Sequence, residues 1–303
     1  MSSIAAVILT FNEAHHIERA LLSIKPLVSE IFVIDSGSTD GTVQLAESLG
    51  ATVMYNKWVN HAVQFQYGLD NAPITSEWIM RLDADEILEP DLIANLKRVM
   101  PTLSPEVKGI NFHRKHIFMG RFIKHGGRYP VTLLRLWRKG CAQIENRWMD
   151  EHIVLTEGKA ITVEGGFSDI NLGDLTYFTD KHNKYATLEA VEVLNQKYDL
   201  FTRGLSVHEN GDAQAKRKRQ IKEGIYNKLP FGLGPTLYFL YRYFVQLGFL
   251  DGVEGAIYHF LQGYWYRFLV DAKTVELEHA IKGRRDKAEI IDVLERNTKL
   301  KLK

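Results

Sequence analysis

The first hundred residues alternate short apolar runs with amphipathic stretches. Residues 4–9 read Ile-Ala-Ala-Val-Ile-Leu, an unbroken run that predicts a strand buried on both faces. From residue 13 onward, Ile17, Leu21, Leu22 and Ile24 recur at helical spacing. The pattern then repeats: a strand over 31–34, a helix over 42–49 closed by Gly50, a strand over 51–55, a helix over 62–71 and a strand over 78–82. Strands alternating with helices predict an α/β fold around a mostly parallel sheet with right-handed crossovers. Ligands bind at the carboxyl ends of such strands. Three polar loops lie there, over 10–13, 35–41 and 83–86.

After Pro101 the pattern changes. Residues 110–112, 133–137 and 161–164 predict strands of mixed direction, separated by glycine-rich and basic loops. Residues 180–198 predict a helix with Tyr185, Leu188, Val191, Leu194 and Tyr198 on one face. A basic run follows, Lys216-Arg217-Lys218-Arg219 with Lys222 and Lys228. Residues 235–250 and 253–270 are apolar and aromatic, but Arg242, Glu254, His259 and Arg267 interrupt them. Neither supplies the roughly 20 uncharged residues of a spanning helix. From Asp271 onward the chain is charged and predicts a surface helix with a frayed tail.

Composition narrows the class. The 303 residues are 45% hydrophobic and 25% charged, ordinary globular usage that excludes a disordered or fibrous chain. The formal charge of +1 gives no global field for nucleic acid, so no nucleic-acid partner is expected. The single cysteine, Cys141, excludes an internal disulfide and fits a reducing compartment. No basic n-region precedes the first strand, so no secretory signal is expected.

The loops carry the candidate chemistry. Asp83-Ala84-Asp85 leaves a strand end, where two carboxylates can hold a hard divalent cation that in turn binds phosphate. A loop capping the next helix is the competing reading. Asp35 precedes Ser36-Gly37-Ser38; its carboxylate can accept from an imide N–H or ribose hydroxyls, or can simply initiate a turn. The segment from Thr10 to Glu13 can be a ligand loop or a helix N-cap. The three loops in this order are more specific than any one alone.

These residues resemble the nucleotide-sugar glycosyltransferases of family 2, which have the GT-A fold. The matching segments are Val-Ile-Leu-Thr-Phe-Asn-Glu at 7–13, Val-Ile-Asp-Ser-Gly-Ser-Thr-Asp-Gly-Thr at 33–42, and Trp-Ile-Met-Arg-Leu-Asp-Ala-Asp-Glu at 78–86. Tyr-Pro and Arg-Leu-Trp-Arg within 129–138, Lys-His-Asn-Lys-Tyr-Ala at 181–186 and Gly-Phe-Leu-Asp-Gly at 248–252 are similar to the lipopolysaccharide-core and surface-polysaccharide glucosyltransferase subgroup. The resemblance implies a catalytic domain over 1–210, with a nucleotide-sugar half to about 100 and an acceptor half beyond it, and a helical membrane-interface or oligomerisation region over 211–303. It also implies that Thr10, Phe11, Glu13 and Asp35 line the nucleotide pocket with Gln66 nearby. Asp83 would contact ribose or metal, and Asp85 would ligate Mg2+ or Mn2+. Glu151 aligns with the acceptor base, with Asp150 the close competitor; His152 is structural or a ligand. Arg128, beside Arg121, Lys124 and His125, could hold an acceptor phosphate or carboxylate, or could be part of a solvated loop. Lys181 and His182, at the start of a helix, could face the acceptor, and Asp169 is a weaker candidate on the metal or acceptor side.

The implied activity is inverting transfer from a UDP-sugar, by default UDP-glucose, to a lipid-linked or saccharide acceptor. The implied location is the cytoplasmic face of the inner membrane, peripheral or monotopic. The aromatic segments beside the basic run suit that surface or a homo-oligomer contact. Two alternatives are a nucleotidyltransferase on a similar sheet and a non-catalytic glycan- or membrane-binding module.

Overall fold

Burial on both faces of a central strand organises the first half of the molecule. This computed structural model describes residues 2–145, 151–201 and 229–302. Strand β1, Ile4–Thr10, sends Ile4, Ala6 and Ile8 to one apolar layer and Ala5 and Val7 to the other. That two-sided burial is why its sequence is a continuous apolar run. The strands β2 (Glu30–Asp35), β3 (Thr52–Tyr55) and β4 (Trp78–Arg81) complete a parallel half in the order β3-β2-β1-β4.

The helices α1 (Ile17–Ile24), α2 (Thr42–Ser48), α3 (His61–Asn71) and α4 (Pro90–Val99) lie between or after these strands. Ile17, Leu21 and Ile24 of α1 and Leu92 and Leu96 of α4 join the layer of Ile4 and Ile8; Phe65 of α3 joins the opposite layer, so helices cover both faces. Gly68 lets α3 approach closely, since a Cβ there would lie 2.8 Å from Ile34 Cγ1.

The sheet continues through short β5 (Glu86–Leu88), long β6 (Val107–Phe118), β7 (Arg121–Phe122), β8 (Val131–Arg138) and β11 (Lys159–Ile170). Strand β8 runs antiparallel to β4 and β6, while β11 is parallel to β6 and antiparallel to β5. The remaining strands, β9 (Ala142–Ile144) and β10 (Ile153–Leu155), pair as a separate ribbon. The expected α/β fold of GT-A type is therefore present, with the sheet turning from parallel to mixed after β4. This first unit comprises described residues to 124 together with 128–172.

The second unit holds 125–127 and the described residues from 173 onward. Its helix α5, Leu175–Tyr198, begins five residues before the expected start because Asp174 caps it, accepting from Tyr177 N at 2.8 Å. Lys181 and His182 therefore sit well inside the helix rather than at its start. Helix α6, Leu233–Leu240, passes into a π-helical turn, Tyr241–Val245, and stops where Leu247 takes a positive φ of 59°. One continuous helical run follows: α7 (Gly252–Tyr258), a π-helical stretch (His259–Trp265) and α8 (Tyr266–Ile281). Helix α9, Lys287–Thr298, departs from the expected frayed surface segment. Its Ile290, Ile291, Val293 and Leu294 are buried with Leu194, Leu277 and Ile281, and Leu302 beyond it is buried too. Glu289, Asp292 and Arg296 are exposed on its other side. No helix among the described residues is long and apolar enough to cross a membrane.

Candidate active site

The ends of β1 and β2 are tied into one double loop. Asp35 Oδ1 accepts from the N–H groups of Gly37 and Ser38, both at 2.8 Å. Its Oδ2 accepts from Thr10 Oγ1 at 2.8 Å and Ser38 Oγ at 2.5 Å. Gly37 accommodates the turn at φ 100°. Burial works against the Asp35 charge, yet Ser38, Thr10 and Gly37 together hold its carboxyl below the usual carboxylate range. Four acceptor positions serve the loop itself, so Asp35 and Thr10 first act as its organisers. Thr10→Val should cost about 1–3 kcal/mol, because it leaves a buried carboxylate short of one donor; urea denaturation measures it.

Asn12, at φ 57°, completes the clasp: its N–H donates to Ser38 Oγ at 2.8 Å and its Oδ1 accepts from Thr39 N at 2.9 Å. Glu13 N donates to Thr42 Oγ1 at 2.8 Å. The N-cap alternative for this segment gives way to a turn, in which Glu13 O accepts from His16 N and Ile17 N. Phe11 stands 58% exposed beside the clasp, an aromatic face open to a ligand.

Gln66 does not join these loops. It donates to Asp70 Oδ1 at 2.7 Å on an exposed face of α3. Two residues on a helix differ by about 200°, so Gln64 takes the inward position instead. It is fully buried and donates to Ser36 Oγ at 3.0 Å, while accepting from Asn56 Nδ2 at 2.9 Å.

The loop after β4 is electrostatically dense. Arg81 donates through Nε to Asp83 Oδ1 at 3.3 Å and through Nη2 to Glu151 Oε1 at 3.0 Å. Its guanidinium lies 5.3 Å from the Phe65 ring centroid. Arg135 Nη2, on β8, bonds Glu86 Oε1 at 2.6 Å and stands 3.6 Å from Asp83 Oδ2. Asp83 N donates to Glu86 Oε2 at 2.9 Å. Burial works against the Asp83 carboxylate, but Arg81, then Arg135 and His61, hold it well below the usual range. Burial pushes Glu86 up to about 8, against the pull of Arg135 and with Asp83 adding to the rise.

Arg81, Arg135, Glu86 and Gln64 are site residues that the sequence reading missed. The one signal of Arg81, Arg135 and Gln64 was a charged or polar group inside an expected strand or helix; Glu86 fell in the expected loop 83–86 but was given no role there.

Glu151 reaches this cluster because β9 and β10 pair just before and after it, with Glu145 N donating to His152 O at 2.9 Å. Asp150 lies outside the described residues, as does the basic run at 216–228. His152 N donates to Glu145 Oε2 at 3.3 Å. Asp85 Oδ2 accepts from Asn171 Nδ2 at 3.2 Å.

Asp169, on β11, stands 3.1 Å from His116 Nδ1 and 3.9 Å from Arg114 Nη1. Burial opposes its charge, but His116, Arg114 and Arg128 hold its carboxyl well below the usual range. This places Arg128 beside the same cluster. His125, by contrast, belongs to the second unit, where its Nδ1 lies 2.6 Å from Asp251 Oδ1. Lys181 and His182 are also in that unit; His182 stacks on Phe178 at 3.9 Å and Lys181 Nζ lies 5.8 Å from the Tyr177 ring centroid.

The described residues contain no group of three or more His, Cys, Asp or Glu side chains gathered around one metal position. Asp83 and Asp85 offer hard carboxylate oxygen instead. That donor set fits Mg2+ or Mn2+ held by one or two carboxylates together with substrate phosphates.

A family model described as glycosyl transferase family 2 matches residues 5–155. An uncharacterized glycosyltransferase of Rickettsia typhi is 36% identical over 296 residues, 94% of this chain and 90% of that protein. The chain belongs to glycosyl transferase family 2. A Rhizobium meliloti family relative named lipopolysaccharide core biosynthesis glycosyltransferase LpsC is 28% identical over 301 residues, 93% of this chain and 94% of that protein. Uncharacterized glycosyltransferases of Rickettsia felis and Rickettsia bellii are 36% and 37% identical, and the chain spans only 42% and 39% of their lengths. Among solved structures, the Mycobacterium tuberculosis glucosyl-3-phosphoglycerate synthase with Mn2+, UDP and glucosyl-3-phosphoglycerate is 26% identical, covering 38% of this chain and 44% of that one with a TM-score of 0.31.

Proposed function

We propose that this chain is an inverting glycosyltransferase. It moves a sugar from a UDP-sugar, by default UDP-glucose, to a lipid-linked or saccharide acceptor of bacterial lipopolysaccharide or surface polysaccharide. One observation carries the reading: Arg81 joins Asp83 of the loop after β4 and Glu151 of the later acidic motif in one cluster. The similarity to a protein named for lipopolysaccharide core biosynthesis supports the acceptor class.

The residues divide the work. Phe11 and Glu13 flank the nucleotide base and ribose over the rigid Asp35 loop. Asp85, with Asp83, would hold Mg2+ or Mn2+, which supplies Lewis-acid neutralisation of the departing diphosphate. Glu151 keeps Oε1 on Arg81 and takes the acceptor proton on Oε2. Arg128 beside Asp169 would steady an acidic group of the acceptor. A single base without a covalent nucleophile gives inversion at the anomeric carbon.

The test is incubation of the full chain with a panel of sugar nucleotides and Mn2+ or Mg2+, recording the nucleoside diphosphate released. UDP release from UDP-glucose is expected. No release from any donor with either metal overturns the reading, and pyrophosphate release from a nucleoside triphosphate and a sugar phosphate favours a nucleotidyltransferase.

The second unit supports attachment at the membrane surface. Phe244, Val245, Leu247, Phe249, Leu250 and Val253 are each 44–72% exposed. Asp251, the one charged residue from Phe244 to Val253, is buried, as is nearby Arg242, so the exposed side chains of that stretch are mainly apolar. Such a tip suits insertion into one leaflet at the cytoplasmic face. Phe244→Ser with Val253→Ser should lower liposome affinity on the order of 10-fold or more, from roughly 1 kcal/mol or more of apolar burial lost at each site. Liposome flotation measures this. Unchanged flotation removes the tip from the membrane contact, and a stable dimer broken by the double variant decides for an oligomer contact.

A further inference from the structure

Residues 170–172 end the first unit, immediately before the chain leaves it at Gly173. Each of these three consecutive residues bonds to the loop after β4, to α1 or to His16 just before α1. Ile170 N donates to Asp85 O at 2.9 Å, and Ile170 O accepts from Arg19 of α1. Asn171 Nδ2 donates to Asp85 Oδ2 at 3.2 Å. Leu172 N donates to His16 Nε2 at 2.9 Å.

The last contact fixes a tautomer. Leu172 brings an N–H, so His16 Nε2 must offer a lone pair and Nδ1 must carry the proton. Nδ1 then donates to Glu13 Oε2 at 2.6 Å. A continuous path of hydrogen bonds and chain thus runs from Glu13 through His16, Leu172 and Asn171 to Asp85. The backbone of the segment is itself held by β11, where Asp169 pairs with Glu86 of β5 and Ile170 with Ile117 of β6.

We propose that residues 170–172 are a staple holding the Glu13 loop and the Asp85 carboxylate in one arrangement, with Asn171 and His16 as positioning residues. The inference rests on the reading of Glu13 as a nucleotide-pocket residue and Asp85 as a metal ligand. Asn171 fixes the rotation of the Asp85 carboxylate, and His16 fixes Glu13 against Leu172. A cation and a nucleotide would then meet a preset pair of loops rather than two loops that must be ordered separately.

The experiment uses the full chain with Mn2+ and UDP as probes. Bound Mn2+ is counted by electron paramagnetic resonance, and UDP affinity is measured by calorimetry with and without chelator. Asn171→Ala should weaken Mn2+ uptake in the presence of UDP by about 10–100-fold, the usual effect of removing a partner that orients a ligating group. Its UDP affinity in chelator should stay close to wild type. Asn171→Gln, which keeps an amide donor, should recover part of the loss at an unchanged thermal midpoint.

His16→Ala should weaken UDP binding even in chelator. His16→Gln should restore part of it, because an amide donates and accepts as the neutral imidazole does. Wild-type uptake of Mn2+ with UDP, matched by Asn171→Ala and His16→Ala, overturns the staple alone. Wild-type protein that takes up no Mn2+ with UDP overturns the metal reading and the staple's role with it.

Discussion

Glu151→Gln should lower sugar transfer by about 10²-fold or more, the contribution of a positioned general base, while Mn2+–UDP binding stays near wild type. The substitution isolates chemistry from structure. Glutamine keeps an Oε1 that can accept from Arg81, so the 3.0 Å contact which fixes the side chain survives. What disappears is the second carboxylate oxygen and its capacity to take a proton. Measured together, turnover and nucleotide affinity separate the two effects. Asp150→Asn is the companion variant. If it is inactive while Glu151→Gln turns over normally, the base moves one residue; if both are active, this acidic motif is not the source of the base.

The parallel half was legible because two-sided burial leaves a plain mark. Ile4 to Ile8 and Phe32 to Ile34 are buried without interruption, and their sequences are apolar runs ending at polar loops. The strands β5, β7, β9 and β10 were not legible, since two or three residues cannot display a period. Their directions and partners come from long-range pairing, as when Glu86, expected in a loop, opens a strand against Asp169.

The site was legible as loops rather than as contacts. Asp83, Asp85 and Glu151 stood out as acidic residues at strand ends or in a motif. Arg81, which binds two of them, sits in a strand, where its one signal was a charge beside an apolar run. Gln66 and Gln64 differ by two positions in one helix, and only the packing of α3 decides which faces inward. The aromatic stretch 235–250 had helical composition throughout. The turn at Leu247 and Gly248 depends on close packing, since a Cβ at Gly248 would lie 2.8 Å from His259.

Asp83 and Asp85, indistinguishable as a sequence triplet, should separate sharply when each is removed. Asp85→Ala should abolish Mn2+-dependent UDP binding and lower transfer on the order of 10³-fold, since a bound cation supplies several kcal/mol of charge stabilisation to the departing diphosphate. The fold should survive. Ile170 N donates to the backbone carbonyl of residue 85, which alanine retains, and neighbouring Ala84 stays anchored in the core. Asp83→Ala is different. Its carboxylate lies between Arg81 at 3.3 Å and Arg135 at 3.6 Å, so its loss leaves two buried guanidinium groups short of a counter-charge. Asp83 is partly exposed and each guanidinium keeps a second carboxylate, Glu151 for Arg81 and Glu86 for Arg135, so the cost is about 1–3 kcal/mol, and Asp83→Ala should lose some stability along with activity. Urea denaturation beside Mn2+ titration distinguishes the two. Asp85→Ala should keep the wild-type denaturation midpoint and lose metal-dependent binding, whereas Asp83→Ala should lose both. Wild-type transfer persisting in excess chelator would remove the metal from Asp85 altogether.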